Sequence, residues 1–387
     1  MRFVVHGLDD VPSLESFAAR LRRTMASEGH HEVSDADDAD LVLHFFPADA
    51  PRSFRREHRS VFVAGVTRME SEVEDPLRQG YRLLIRSISN LLVMASPDGL
   101  DGSPDAAGSE GDGASASGKA ADAGDGREPT RLHFLTPEQG HYRVDRTGNG
   151  EGFYRAVLDR IEPLASSTLV IENEFVPDLP EELRDGDEVT ASITRAGERL
   201  GKLDLLPSPT ALEEILPRQD LRHLKRMFGI GGMSYGNVSA RKDEERFWMS
   251  ASGVDKSSLR EIGTEILLVT GYDAERNAMV LSVPPDVEPS RVSVDAIEHW
   301  MIYQEHPEVG AILHVHAWME GVESTDVNYP CGTYELGEAV AEIVRQAPDP
   351  SRAVVGLKNH GLTITGRSLD GIFERVEGRL LREVPMS

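Results

Sequence analysis

Residues 310–316, Gly-Ala-Ile-Leu-His-Val-His, constrain this chain more than any other stretch. The run is apolar up to its histidines, includes β-branched Ile312 and Val315, and follows Pro307, which closes off any preceding helix. Such a run reads as a buried strand. Side chains alternate along a strand, so His314 and His316 leave the same face, about 7 Å apart. Two imidazoles spaced in advance by a rigid strand suit a zinc-type divalent ion, which takes histidine nitrogens. The pair also has an ordinary reading, two incidental histidines at a strand end in a chain with 13. The choice depends on what else the chain brings to them.

The length of 387 residues implies about two or three domains. A hydrophobic fraction of 39% is enough for real cores. The formal charge of -25 argues against nucleic acid or an anionic membrane as partner, since both demand basic patches. Cys331 is the only cysteine, which rules out an intrachain disulfide and fits a reducing compartment. The opening MRFVVHGLDDVPS lacks the apolar core and cleavage site of a signal peptide, and no run of about 18 apolar residues exists. A soluble, cytoplasmic protein with an acidic surface is expected.

In the first half, strands are predicted at residues 2–8, 39–46 and 60–66, and an amphipathic helix from Ser13 to Gly29. Residues 77–95 read as a helix or a strand-helix mix. Gly7 stands alone before two Asp, so no phosphate-binding fingerprint follows the first strand. Residues 97–130 are Ser, Asp, Gly and Ala with almost no large apolar side chain, the composition of a flexible insert. Beyond it come a strand at 131–135, a helix at 152–164, a strand at 167–171 and a hairpin over 187–205 turning at residues 196–198. Glu172, Asn173 and Glu174 read as a solvated strand end. Residues 1–206 are thus expected to form an N-terminal α/β domain, and Pro207 and Pro209 mark a boundary before a second domain at 207–387.

The second domain holds the chemistry. After a helix at 212–227, the glycine-dense segment 229–239 enters a strand. Its backbone N–H groups and the Asn237 amide suit an anion. Ser252 and Gly253 end the next strand in a turn of similar character. Ser293 is a natural N-cap for a helix reaching Glu305, whose N-terminus again favours an anion, with Asp295 in its first turn. A strand from residue 353 ends at His360-Gly361. His314, His316 and His360 together offer three nitrogens and leave a fourth position open, as a catalytic metal requires.

Gly236-Asn237-Val238-Ser239, Ser252-Gly253, Ser293-x-Asp295, the helix with His299 and Tyr303, His314-x-His316, Tyr329-Pro330-Cys331 and Asn359-His360-Gly361 resemble the class II aldolase/adducin family over roughly residues 210–380. The resemblance implies a three-layer α/β/α domain with a mixed sheet. It implies one divalent metal on His314, His316 and His360, zinc first, with manganese or cobalt as alternatives. Phosphate binding falls to Asn237, Ser252, Gly253 and Ser293, and acid/base chemistry to Asp295, where the family carries Glu. Val294 stands where the family has a second serine, and the segment from His316 to Tyr329, a region from which the family often draws a proton-donating tyrosine, is short here, so neither Tyr329 nor Tyr334 is assigned that role. The implied activity is that of a metal-dependent lyase of the aldolase type on a small sugar-phosphate-like or polyol substrate, working through a metal-stabilised enediolate. The alternatives are a 4-epimerase, a dehydratase, or a non-catalytic adducin-like scaffold. The family also implies a homo-oligomer, often a tetramer.

Overall fold

The structure is a computed structural model that describes residues 1–54, 61–71, 73–96, 129–137, 140–147, 152–207, 212–228 and 234–387. The insert expected at 97–130 lies, up to residue 128, outside the described residues, as do residues 229–233 of the glycine-dense segment. The chain divides into two compact units, Met1–Ile161 and Glu162–Ser387.

The first unit is built on one sheet. Its strands are β1 (Arg2–His6), β2 (His31–Glu32), β3 (Leu41–Phe45), β4 (Phe62–Arg68), β5 (Leu91–Ala95), β6 (Arg131–Thr136) and β7 (Gly140–Asp145). They lie in the order β2-β1-β3-β4-β5-β6-β7, parallel from β2 to β5 and antiparallel at β6 and β7. Helix α1 (Glu15–Ser27) buries Phe17, Ala18, Leu21 and Met25, the 3.6-residue stripe seen in the sequence. Residues 77–95 resolve into α2 (Pro76–Ser87) and β5, separated at Ile88, whose φ of 53° ends the helix. Gly7 serves packing: a Cβ there would stand 2.3 Å from the Phe45 carbonyl oxygen. Helix α3 (Phe153–Ser166) contains the division between the units.

The second unit carries β8 (Glu172–Val176), α4 (Glu188–Lys202), α5 (Leu212–Ile215), α6 (Arg218–Phe228), β9 (Asn237–Arg241), β10 (Phe247–Ser250), β11 (Ile266–Asp273), β12 (Ala278–Ser282), α7 (Ala296–Glu305), β13 (Ala311–Val315), β14 (Glu323–Ser324), α8 (Tyr334–Gln346), β15 (Val354–Leu357), β16 (Gly361–Gly366) and α9 (Leu369–Val376). The sheet order is β14-β15-β16-β13-β9-β10-β11-β12-β8, antiparallel in the middle and parallel at both edges. Strand alternation sends residues to two separate cores. Val238, Trp248, Leu313 and Ile364 pack with Ile193 and Leu200 of α4 and Phe373 of α9. Phe247, Met249, Ile312 and Val355 pack with Ile297 and Ile302 of α7 and Val340 of α8. This is a three-layer α/β/α domain with a mixed sheet. Among the described residues no helix is long and apolar enough to cross a membrane.

Four expectations change. The strand expected at 167–171 begins later, as β8, because Thr168 is held by its N–H and hydroxyl on the Glu335 carboxylate at 2.8 and 3.0 Å. The polar strand Glu-Asn-Glu-Phe-Val then pairs with β12 at the sheet edge, where exposure tolerates charge. The hairpin expected at 187–205 is helix α4. Val189, Ile193, Ala196 and Leu200 suit a helical period, and Asp187 and Thr190 close a reciprocal capping box at its start. Both segments therefore join the second unit, and the division falls at 161/162 where 206/207 was expected. The single helix expected at 212–227 is broken into α5 and α6 at Pro217.

Gly197, mid-helix in α4, lets that helix approach the segment after β10: a Cβ there would stand 1.9 Å from the Lys256 carbonyl oxygen. Gly197→Ala is expected to lower the urea midpoint. Overpacking against a backbone atom costs about 1–3 kcal/mol, more than the roughly 1 kcal/mol gained in helix propensity. An unchanged or raised midpoint would show that the 256 segment yields freely.

Candidate metal centre

His314 is the fourth residue of β13, and His316 follows the strand's end on the same face. His360 sits in the turn between β15 and β16, after Asn359 at a φ of 58°. The ligand atoms of the three histidines all lie within 4.8 Å of one another. The Nε2 atoms of His316 and His360 are 3.1 Å apart. His314 donates its Nδ1 proton to the Leu362 carbonyl at 3.1 Å, which leaves the lone pair on Nε2. That Nε2 is buried and has no hydrogen-bond partner. Burial pushes His314 down to about 4 and His360 down to about 3, and holds His316 well below its ordinary value. All three imidazoles are thus neutral at pH 7 and present lone pairs, so the donor set fits a divalent ion of the zinc class. Cys331 Sγ lies 3.3 Å from His360 Nε2.

Asp295 faces this group. It occupies the N-cap position of α7 expected for Ser293, yet it makes no cap hydrogen bond. Its carboxylate turns inward: Oδ2 accepts from Asn237 Nδ2 at 2.8 Å and stands 4.0 Å from His314 Nε2. Its Oδ1 is buried without a hydrogen-bond partner. Asn237 reaches it because β9 pairs with β13 in the register Asn237↔His314. Burial raises the Asp295 pKa, against the pull of His360 and the Asn237 hydrogen bond.

A second polar row lies along the same helix. Glu298 is 1% exposed and accepts from the Thr363 hydroxyl, Thr363 being the β16 partner of His314 in register. Burial, then the charge of Asp295, pushes Glu298 up to about 8. His299 and Tyr303 share Ser239 Oγ, at 2.7 and 2.9 Å. Sequence reading passed over Glu298 and Thr363 as site neighbours and named Ser239 only within a motif. The available signal was helical spacing, since Glu298 and His299 follow Asp295 by three and four residues on one face.

The anion-binding candidates gather from two segments. The bridge Ala251↔Val292 sets them side by side: Ser252 N–H donates to the Arg291 carbonyl at 2.9 Å and Ser293 N–H to the Ser250 carbonyl at 3.2 Å. Gly253 turns at a φ of 76°. Ser252 and Gly253 are exposed and Ser293 is buried. Asn237 is engaged by Asp295.

Residues 221–322 match the model of the family described as Class II Aldolase and Adducin N-terminal domain. The matched segment lies within the second unit and spans β9 to β13, with His314 and His316 inside it and His360 beyond it. A methylthioribulose-1-phosphate dehydratase of Xanthomonas campestris pv. campestris (strain B100) is 31% identical over 88 residues, 23% of this chain and 35% of that protein. The chain thus spans about a third of the length of that relative. A methylthioribulose-1-phosphate dehydratase of Cronobacter sakazakii is 26% identical over 157 residues, 39% of this chain and 69% of that protein. The crystal structure of L-fuculose-1-phosphate aldolase from Thermus thermophilus covers 48% of this chain and 86% of its own, at 19% identity and a TM-score of 0.31.

Two outcomes are expected of this unit. Elemental analysis of the purified full-length protein should find about one divalent ion per chain, and His314→Ala should lose it. Full occupancy in that variant would break the three-histidine assignment. Glu298 has its folded pKa raised from 4.5 to about 8. Its contribution to stability is therefore complete below about pH 4.5 and is lost as pH rises to about 8. Urea midpoints should fall across that window in the wild type and fall less in Glu298→Gln; equal falls in both would remove Glu298 as the cause.

Proposed function

We propose that this chain is a divalent-metal-dependent lyase acting on a phosphorylated ketose. The observation that carries this reading is the Asp295 carboxylate, buried and 4.0 Å from His314 Nε2, beside a cluster of three neutral histidines. A carboxyl group next to a Lewis-acid site is what proton removal beside a carbonyl requires. His314, His316 and His360 would hold the ion, zinc by the all-imidazole donor set. Once bound, it would supply Lewis acidity toward the substrate oxygens next to the reacting carbon.

The chain's own residues do the rest. Asp295 takes the proton from the carbon beside the carbonyl on its free Oδ1 and returns it to the departing group. Burial raises its pKa, so both protonation states are accessible nearer neutrality than for an exposed Asp. Asn237 holds Oδ2 and thereby aims Oδ1. Asp is one methylene shorter than Glu, and the inward turn of the residue at the start of α7 makes up reach. Ser252, Gly253 and Ser293 receive the phosphoryl group. Among lyase reactions, elimination of water is the one favoured by the relatives named methylthioribulose-1-phosphate dehydratase; cleavage of a carbon–carbon bond is the alternative supported by the family.

Zinc-loaded protein assayed with methylthioribulose 1-phosphate and with fuculose 1-phosphate separates these outcomes by product. Asp295→Asn should keep its metal and lose about 10²- to 10⁴-fold in turnover. Turnover of neither compound by the loaded protein would count against the substrate class. Undiminished turnover in Asp295→Asn would end the acid/base assignment.

A further inference from the structure

The reading above leaves one buried group without a task. Lys256 follows Ser252 by four residues, opens the short turn Lys256–Ser258, and is 3% exposed. Its Nζ donates to the Ser234 carbonyl at 3.1 Å, and its backbone N–H donates to Ser234 Oγ at 2.8 Å. An ammonium has three protons to donate, and the Ser234 carbonyl takes one. No carboxylate of the described residues forms an ion pair with it. The neighbouring Asp255 is turned to Ser257, accepting from its N–H at 2.9 Å and its hydroxyl at 2.7 Å. Burying an ammonium with no carboxylate in direct contact costs several kcal/mol, and an apolar side chain would fill the space with no such cost.

Its location suggests what offsets that cost. The acceptor Ser234 leads directly to Tyr235, whose ring lies 5.3 Å from the His316 ring, and to Asn237, which holds Asp295. Asp295, His314 and His316 all feel the charge of Lys256. Its backbone is fixed, because α4 packs against its carbonyl at Gly197. Lys256 therefore holds a positioned cation against the segment 234–237 that leads to the histidine cluster, four residues along the chain from Ser252. Burial brings its pKa down to about 8, which leaves it mostly protonated at pH 7.

We propose that Lys256 binds the phosphoryl group of the substrate, donating from Nζ to a phosphoryl oxygen. The assignment rests on the reading of this site as one for a phosphorylated ketose. The partner chemistry is a phosphate monoester dianion, whose charge-assisted hydrogen bond is among the stronger ones a side chain makes. In a chain of net charge -25 a surface lysine would be one charge among many screened ones. A buried one acts at short range and in low dielectric.

The test uses full-length, zinc-loaded protein and inorganic phosphate as the probe, followed by calorimetry, with circular dichroism and metal content measured on every variant. Lys256→Met and Lys256→Gln should fold, keep their metal and bind phosphate about 10- to 100-fold more weakly. If Lys256→Met fails to fold, Lys256→Gln decides. Folded variants that bind phosphate as the wild type does, while Ser252→Ala weakens it, would overturn the role of Lys256 and leave the site reading standing. A loss of phosphate binding that tracks a loss of metal would also overturn it. A wild type that binds no phosphate would sink both this assignment and the reading on which it rests.

Discussion

The arrangement of this domain depends on a polar layer sealed between α7 and the sheet. Asn237, Ser239, His314 and Thr363 rise from β9, β13 and β16, and Asp295, Glu298, His299 and Tyr303 descend from the start and inner face of α7. All eight are buried. An unpaired polar group in that position costs about 1–3 kcal/mol, more for a charged one. The pairings that are made depend on register, and the register Asn237↔His314↔Thr363 across three strands sets them, while Asn237 Oδ1, Asp295 Oδ1, Glu298 Oε2, His299 Nε2 and His314 Nε2 keep no partner. A slip of one residue in β13 would send His314 to the α4 face and bring Leu313 against the carboxyls of α7. The layer thus fixes the sheet as firmly as the apolar cores do.

The layer also explains the protonation states. His299 is pushed down to about 3 and the Tyr303 hydroxyl is pushed up, both first by burial. His314 and His360 are lowered for the same reason, and Glu298 is raised. Every one of these groups is driven toward its neutral form. A set of neutral imidazoles next to carboxyls of raised pKa can accept a divalent cation, because cation binding and carboxyl ionisation then favour each other.

The parts of the fold that were legible in the sequence were those with a single strong period. The strand at 311–315, the helix at α1 and the helix at α7 were read correctly because apolar spacing there admits one interpretation. Residues 187–205 were not, because Val189 and Ile193 satisfy both periods and the deciding feature is the Asp187–Thr190 capping box. Edge strand β8 was misplaced because its polar side chains carry no burial signal, and its pairing with β12 is a tertiary fact. The metal-type histidines were visible as types with spacing. The carboxyl of Glu298 was not, because its partner Thr363 lies 65 residues away and meets it only through the pairing of β16 with β13. Ser293 was read as the N-cap on residue preference alone, whereas the structure gives the position to Asp295 and turns its side chain inward.

That inward turn separates stability from chemistry at the start of α7. A side chain that capped the helix would satisfy N–H groups there and add about 1 kcal/mol. Asp295 forgoes that contribution, loses hydration on burial, and keeps one oxygen without a partner. Its remaining bond, to Asn237 Nδ2, orients the carboxylate without quenching it. A residue selected for stability alone would be expected to cap. The departure from capping, together with the unpaired Nε2 of His314 4.0 Å away, marks the place where local stability has been set aside. A ligand entering beside the histidine cluster would give both atoms a partner, so an energetic defect and the candidate reaction centre meet here.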